Sequence, residues 1–237
     1  MSDAAANDKQ GLGPVTPPEP LLFEYLDLPL PVTARGGVVE LFLRSHDIEF
    51  KSKLYNLKSE WPKEKANMIA SGKNPAGAVP LVCFGEKHLT QHIATIRYMA
   101  RTFGLTSGDD YGDYVQDLVA DEYQGWRNDW VKTHFGSDEE AKATFKADVV
   151  PKKLELFEAL YAKYKINAES PYLSTSPSGL GLWGDLAVFS IIFDQIQTGY
   201  MSLDQLEVHP NLKALHDAAS RVPQIAKMLQ EAKAKGG

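Results

Sequence analysis

One cysteine, Cys83, stands in a chain of 237 residues, and that scarcity excludes a good deal of chemistry. No intrachain disulfide can form, nor a CxxC redox pair, nor a cysteine-rich zinc site. Apolar runs are short, and none approaches the roughly 18 residues of a membrane-crossing helix. Positive charge is in deficit: 25 Lys and Arg face 31 Asp and Glu, for a net charge of −6. Nonspecific attraction to nucleic acid or to an anionic membrane is therefore not expected. The 6 histidines show no HExxH-like ligand spacing. Met1–Pro20 lacks the basic start and apolar core of a secretory signal, and its small, polar, proline-rich make-up reads as a disordered tail.

What is present suits a globular fold, with 43% hydrophobic and 24% charged residues. Strands are expected at Leu21–Tyr25 and Ile48–Leu54, and a proline-broken loop at Asp27–Ala34. A helix is expected over Arg35–His46, with Val38, Val39, Leu41 and Phe42 inward, and a short one over Lys63–Ala70. Cys83 falls in the apolar run Leu81-Val82-Cys83-Phe84 and reads as an inert core residue. Gly104–Gly108 reads as a linker. Beyond it the pattern is helical: Tyr111–Phe135, Asp138–Tyr164, Gly184–Gln197, Asn211–Val222 and Pro223–Lys233. Ser137 is the expected cap of the second of these, with Glu140 three residues on. Strands first and helices afterwards make the chain α+β followed by all-α, with neither a repeat nor a doubly wound sheet.

The richest segment runs from Asn74 to Phe103. Pro80 heads the apolar strand Leu81-Val82, where its missing N–H is tolerable, and a cis bond there would turn Val79 outward as an edge for an extended peptide. Gly85-Glu86 reads as a hairpin turn and Lys87–Thr90 as the partner strand. Ile93, Ile96, Arg97, Tyr98, Ala100 and Phe103 then recur at helical spacing. Gln91 and His92 stand where that helix begins, with free N–H groups suited to a carboxylate.

Val79-Pro80 followed by Gln91-His92 resembles the glutathione-binding half of the glutathione S-transferase family, with histidine in place of that family's serine. The tail from His209 to Leu229 is similar to the family's last two helices. The resemblance implies a thioredoxin-like domain over 20–104 after a tail over 1–19, and an all-helical domain over 105–237. It also implies glutathione as cosubstrate with no metal, a homodimer, a cytoplasmic location and a role in detoxification.

Residue by residue, the tyrosine-type (sigma-like) pattern assigns Tyr25 as the hydroxyl donor to the glutathione sulfur and Arg35 as positive potential beside it. About four extra residues separate the two. Trp61-Pro62-Lys63-Glu64-Lys65 carries that pattern's Trp and Lys, which would reach the glycyl carboxylate. Val79 and Pro80 would pair with the cysteinyl backbone, and Gln91 and His92 would hold the γ-glutamyl carboxylate. Tyr123, Trp126 and Trp130 recur at three- to four-residue spacing and would line the pocket of a small hydrophobic electrophile. Leu182 stands where the family has a capping Ser or Thr, leaving Asp185 to favour the helix start.

The chemistry sets a magnitude. A free thiol of pKa ~8.5 is only about 3% ionised at pH 7. Lowering it by about two units takes about 2.7 kcal/mol, which one good hydrogen bond to the anion, ~1.5–3 kcal/mol, supplies. The expected activity is addition of that thiolate to an electrophilic carbon. A glutathione-dependent isomerase and a noncatalytic binding or regulatory protein of the same fold are the alternatives.

Overall fold

The computed structural model describes Pro17 and residues 19–235, so most of the expected tail lies outside the described residues. A four-stranded sheet comes first, in the order β2-β1-β3-β4. Its strands are β1 Leu21–Asp27, β2 Lys51–Asn56, β3 Leu81–Phe84 and β4 Lys87–Thr90. β1 and β2 run parallel, whereas β1 and β3, and β3 and β4, are antiparallel. Three helices belong to this half: α1 Ala34–Ser45, α2 Trp61–Ala70 and α3 His92–Thr102. The helical half follows with α4 Asp110–His134, α5 Glu139–Thr144, α6 Val150–Tyr164, α7 Trp183–Gln197, α8 Pro210–Ser220 and α9 Pro223–Ala234.

β1 is one of the two inner strands and is covered on both faces. Leu21 and Phe23 enter the main core, whereas Glu24, on the opposite face, is fully buried against Tyr55 and Lys73. Val38, Val39, Leu41, Phe42 and Leu43 are all inaccessible to solvent, because α1 packs on α3, α7 and α9 besides the sheet. α7 is buried from Trp183 through Gln195. A helix apolar all round belongs at the centre of its layer, and α7 packs against α1, α3, α4 and α8.

Two local expectations are corrected. Asp138, not Ser137, caps α5, its carboxylate accepting the Ala141 N–H at 3.0 Å. The helix expected to run unbroken over Asp138–Tyr164 contains a π-helical turn, Phe145–Val149, just before Pro151. Proline has no N–H to continue the α ladder, and a π turn absorbs the mismatch.

Candidate active site

A groove of about 330 Å³ opens between the two halves, lined by Arg35 of α1, the loop from Asn74 to Pro80, Thr90–His92, and Gln124 and Asn128 of α4. The Val79-Pro80 bond is cis. Asn74 shapes the loop leading to it: its amide accepts the Ala76 N–H at 3.1 Å and donates to the Ala78 carbonyl at 2.5 Å. Gln91 lies exposed at the head of α3 with φ 67°. That left-handed turn leaves its side chain free, since it makes no capping hydrogen bond to the helix. The Arg35 guanidinium reaches across to α4 and donates to Asn128 Oδ1 at 2.6 Å.

His92 sits beneath this surface. It is 1% exposed, its Nε2 has no protein partner, and its ring meets the edge of Tyr123 at 5.7 Å. Burial, with help from the charges of Arg127 and Arg35, lowers its pKa to about 3. The imidazole is therefore neutral at physiological pH. Of the pair at the head of α3, Gln91 meets the open groove and His92 supports it from below.

Tyr25 is not among the groove-lining residues. Its ring packs flat on α1, where a methyl group on Gly36 would fall 2.4 Å from three ring carbons. Burial raises the phenol pKa, opposed by the Gly36 N–H and by the positive charge of Arg127 and Arg35. The phenol thus shares the electrostatic surroundings of Arg35, while the residue borders a different cavity. Trp61 and Lys65 also stand outside the groove lining. Trp61 opens α2 and packs near Tyr55, Leu81 and Val79, and Lys65 is exposed.

The electrophile-pocket expectation for Tyr123, Trp126 and Trp130 is overturned by burial, since all three are inaccessible to solvent. Trp126 stacks on Phe157 at 5.5 Å, Trp130 donates to Thr198 at 3.3 Å, and the Tyr123 hydroxyl accepts from Arg127 at 3.0 Å. Their spacing marks the inner face of α4, not an open wall. Cys83 is half-buried, its thiol donating to Glu24 at 3.4 Å, and burial beside that carboxylate raises its pKa.

Sequence reasoning missed the group that sets the start of α1. Asp194 of α7 accepts the N–H of Thr33 at 2.6 Å and that of Ala34 at 2.9 Å. It also pairs with Arg127, buried like itself, at 2.5 Å. Arg127 donates further to Ser190 at 2.9 Å. The helical half thereby fixes the backbone from which Arg35 projects. More than 150 residues separate Asp194 from Thr33, so no local pattern announces the contact. Asn128 was more accessible to reasoning, standing one helical turn beyond Gln124 on the same face.

Residues 124–232 match the family model described as glutathione S-transferase, C-terminal domain. Over 194 residues the chain is 26% identical to a glutathione S-transferase of Plasmodium falciparum (isolate 3D7), covering 81% of this chain and 89% of that protein. Among solved structures, the Pi-class glutathione S-transferase of Onchocerca volvulus superposes with a TM-score of 0.73 at 18% identity, over 90% of this chain and 94% of the other. Prostaglandin synthase D of Nilaparvata lugens gives 0.71 at 21%, over 90% and 98%. These two likenesses speak for the fold: a small mixed sheet followed by a helical domain. The matched C-terminal region and the curated relative add a likeness in sequence to glutathione S-transferases.

Proposed function

We propose that the groove binds glutathione and that the chain joins the whole tripeptide, through its sulfur, to an electrophilic carbon of a hydrophobic substrate. One observation carries this reading: the cis-proline edge at Val79-Pro80, the left-handed Gln91 at the head of α3 and the Arg35 guanidinium meet in a single groove. The first offers main-chain groups to a peptide backbone. The second brings helix N–H groups and an amide to a carboxylate. The third supplies a fixed cation where a thiolate forms.

In this reading Arg35 is the main stabiliser of the sulfur anion, because it already lines the groove. Tyr25 adds its hydroxyl from β1, beside the first turn of α1, and Trp61 and Lys65 act at the outer end, beyond Val79. The thiol proton leaves to solvent, the thiolate attacks carbon, and the leaving group departs. If the electrophile has no leaving group, a proton completes the adduct. A glutathione-dependent isomerase would use the same residues, but its thiolate is expelled again and glutathione is not consumed. The likeness in sequence further supports a cytoplasmic homodimer acting in detoxification.

Calorimetric titration with glutathione, paired with the ultraviolet absorbance of bound thiolate, tests the reading. Saturable binding with thiolate absorbance at neutral pH is expected, and Arg35→Gln should lose the absorbance. A folded protein that binds no glutathione would point to the noncatalytic alternative.

A further inference from the structure

Glu24 and Lys73 lie outside the groove lining, yet both ends of the cis-proline loop converge on them. In the β1–β3 ladder Glu24 stands opposite Leu81, the residue after Pro80. Its carboxylate accepts from the ammonium of Lys73, the residue before Asn74. One residue of the sheet thus holds the loop at its exit through the strand and at its entrance through the side chain. We propose that Glu24, acting through Lys73, is a positioning residue that sets Val79 for main-chain pairing with the ligand, an inference that rests on the glutathione reading of the groove.

The loop is built around Asn74, which is itself buried. The Asn74 carbonyl accepts the Gly77 N–H at 2.9 Å, and its side chain binds Ala76 and Ala78. Fixing Lys73 therefore fixes the whole turn. α2 is a weak anchor for it: that helix buries only Met68, and it reaches Asn74 by one backbone bond, Asn74 N–H to the Met68 carbonyl at 3.1 Å. A carboxylate inaccessible to solvent is costly unless it is paired. Glu24 has three donors: Lys73, the Tyr55 phenol, and the Cys83 thiol at 3.4 Å. Burial raises its pKa, but these donors more than offset that, and the group titrates below its ordinary value. Tyr55 and Cys83 belong to β2 and β3, so Lys73 alone passes the hold on to the loop. An apolar residue in place of Glu24 would fill the space without tethering anything.

Calorimetric titration with glutathione and amide hydrogen exchange over residues 74–79 test this on the full chain. Lys73→Met should weaken glutathione binding by about tenfold, because the edge is no longer held ready for its ligand, and should speed exchange in the loop. Lys73→Arg, whose guanidinium can still meet the carboxylate, should restore both. Should Lys73→Met fail to fold around a stranded carboxylate, the double variant Glu24→Gln with Lys73→Met removes both charges and should show the same two losses. Unchanged affinity and exchange in the folded variant overturn the proposal, as does an equal loss in Lys73→Arg. If the unaltered chain binds no glutathione, the reading of the groove fails separately. Exchange then decides the tether: faster with methionine and not with arginine upholds it, and equal rates in all three proteins overturn it.

Discussion

Gln116 of α4 caps α7 from outside: its Oε1 accepts the N–H of Gly184 at 2.8 Å and of Asp185 at 3.2 Å. Its Nε2 donates to the Asp185 carboxylate at 2.8 Å and to Ser174 at 3.0 Å. Leu182, at the cap position, has no acceptor to offer, and Gln116 supplies one from another helix. The approach is close because residue 184 is glycine; a methyl there would fall 2.7 Å from the Gln116 side chain and backbone.

Replacing Gln116 with leucine should therefore cost more than an ordinary core change. It orphans two buried N–H groups and one side of a buried carboxylate, each worth about 1–3 kcal/mol. A loss of roughly 3 kcal/mol in urea unfolding is expected, with the groove's affinity for glutathione nearly intact in the protein that remains folded. Gly184→Ala should produce a loss of similar size by pushing the same two helices apart.

Much of the layout was legible because it rests on local signals. The hairpin β3–β4 lies where the Gly85-Glu86 turn and the apolar run put it, and α1, α3, α4, α7, α8 and α9 follow their apolar spacing to within about two residues at each end. The cis proline and Gln91 were visible in one thirty-residue stretch. Burial was harder. Tyr123, Trp126 and Trp130 show the same periodicity whether the stripe faces a pocket or a core, and only the packing of α4 on α6 and α7 decides. The caps supplied by Gln116 and Asp194 depend on partners far away in sequence, and a side chain's length and chemistry do not reveal which distant N–H it meets.

The two buried histidines predict an acid limit to stability. Burial lowers His46 to about 4 and His92 to about 3, below the ordinary value near 6.5. As pH falls below about 6.5 the unfolded chain takes up protons that the folded chain refuses, so stability is lost progressively toward pH 4 and below. At about 1.4 kcal/mol per pH unit, each site contributes a loss of order 3–5 kcal/mol across its window. Above pH 7 neither contributes. Denaturant titrations from pH 7.5 down to about 4.5 should show the falling slope, and His46→Gln should flatten it. An unchanged slope in that variant would remove His46 from the account.

Arg35→Gln and Tyr25→Phe separate the two groups assigned to the sulfur. Arg35 lines the groove and Tyr25 does not, so the arginine change should have the larger effect. Loss of one charge-assisted hydrogen bond, ~1.5–3 kcal/mol, corresponds to about a ten- to hundredfold fall in kcat/KM. The rate profile should move to higher pH as the bound thiol becomes harder to ionise. Tyr25→Phe should cost less than tenfold. If the order is reversed, the phenol turns into the groove when glutathione binds, and the arginine is secondary.

The pair Arg127–Asp194 links stability to the site, and its two halves should not be equivalent. Asp194 is held by Arg127, by the Thr33 and Ala34 N–H groups and by the Thr33 hydroxyl at 2.9 Å, at the start of α1. If Arg127 becomes methionine, the carboxylate keeps those three donors and the favourable end of a helix dipole. If Asp194 becomes leucine, a buried guanidinium keeps only Tyr123 and Ser190, and two backbone N–H groups lose their acceptor. Breaking a buried pair costs about 3–5 kcal/mol when a charge is stranded. Asp194→Leu should therefore reach the top of that range or beyond, and Arg127→Met should fall below it. Only the aspartate change frees the chain at Thr33-Ala34, one residue before Arg35, so only it should also lower glutathione affinity in the folded fraction. Unfolding curves for the two single variants and the double variant, with glutathione titrations alongside, measure both effects. Equal losses from the two singles would show that the backbone contacts carry little, and that α1 is positioned by its apolar face alone.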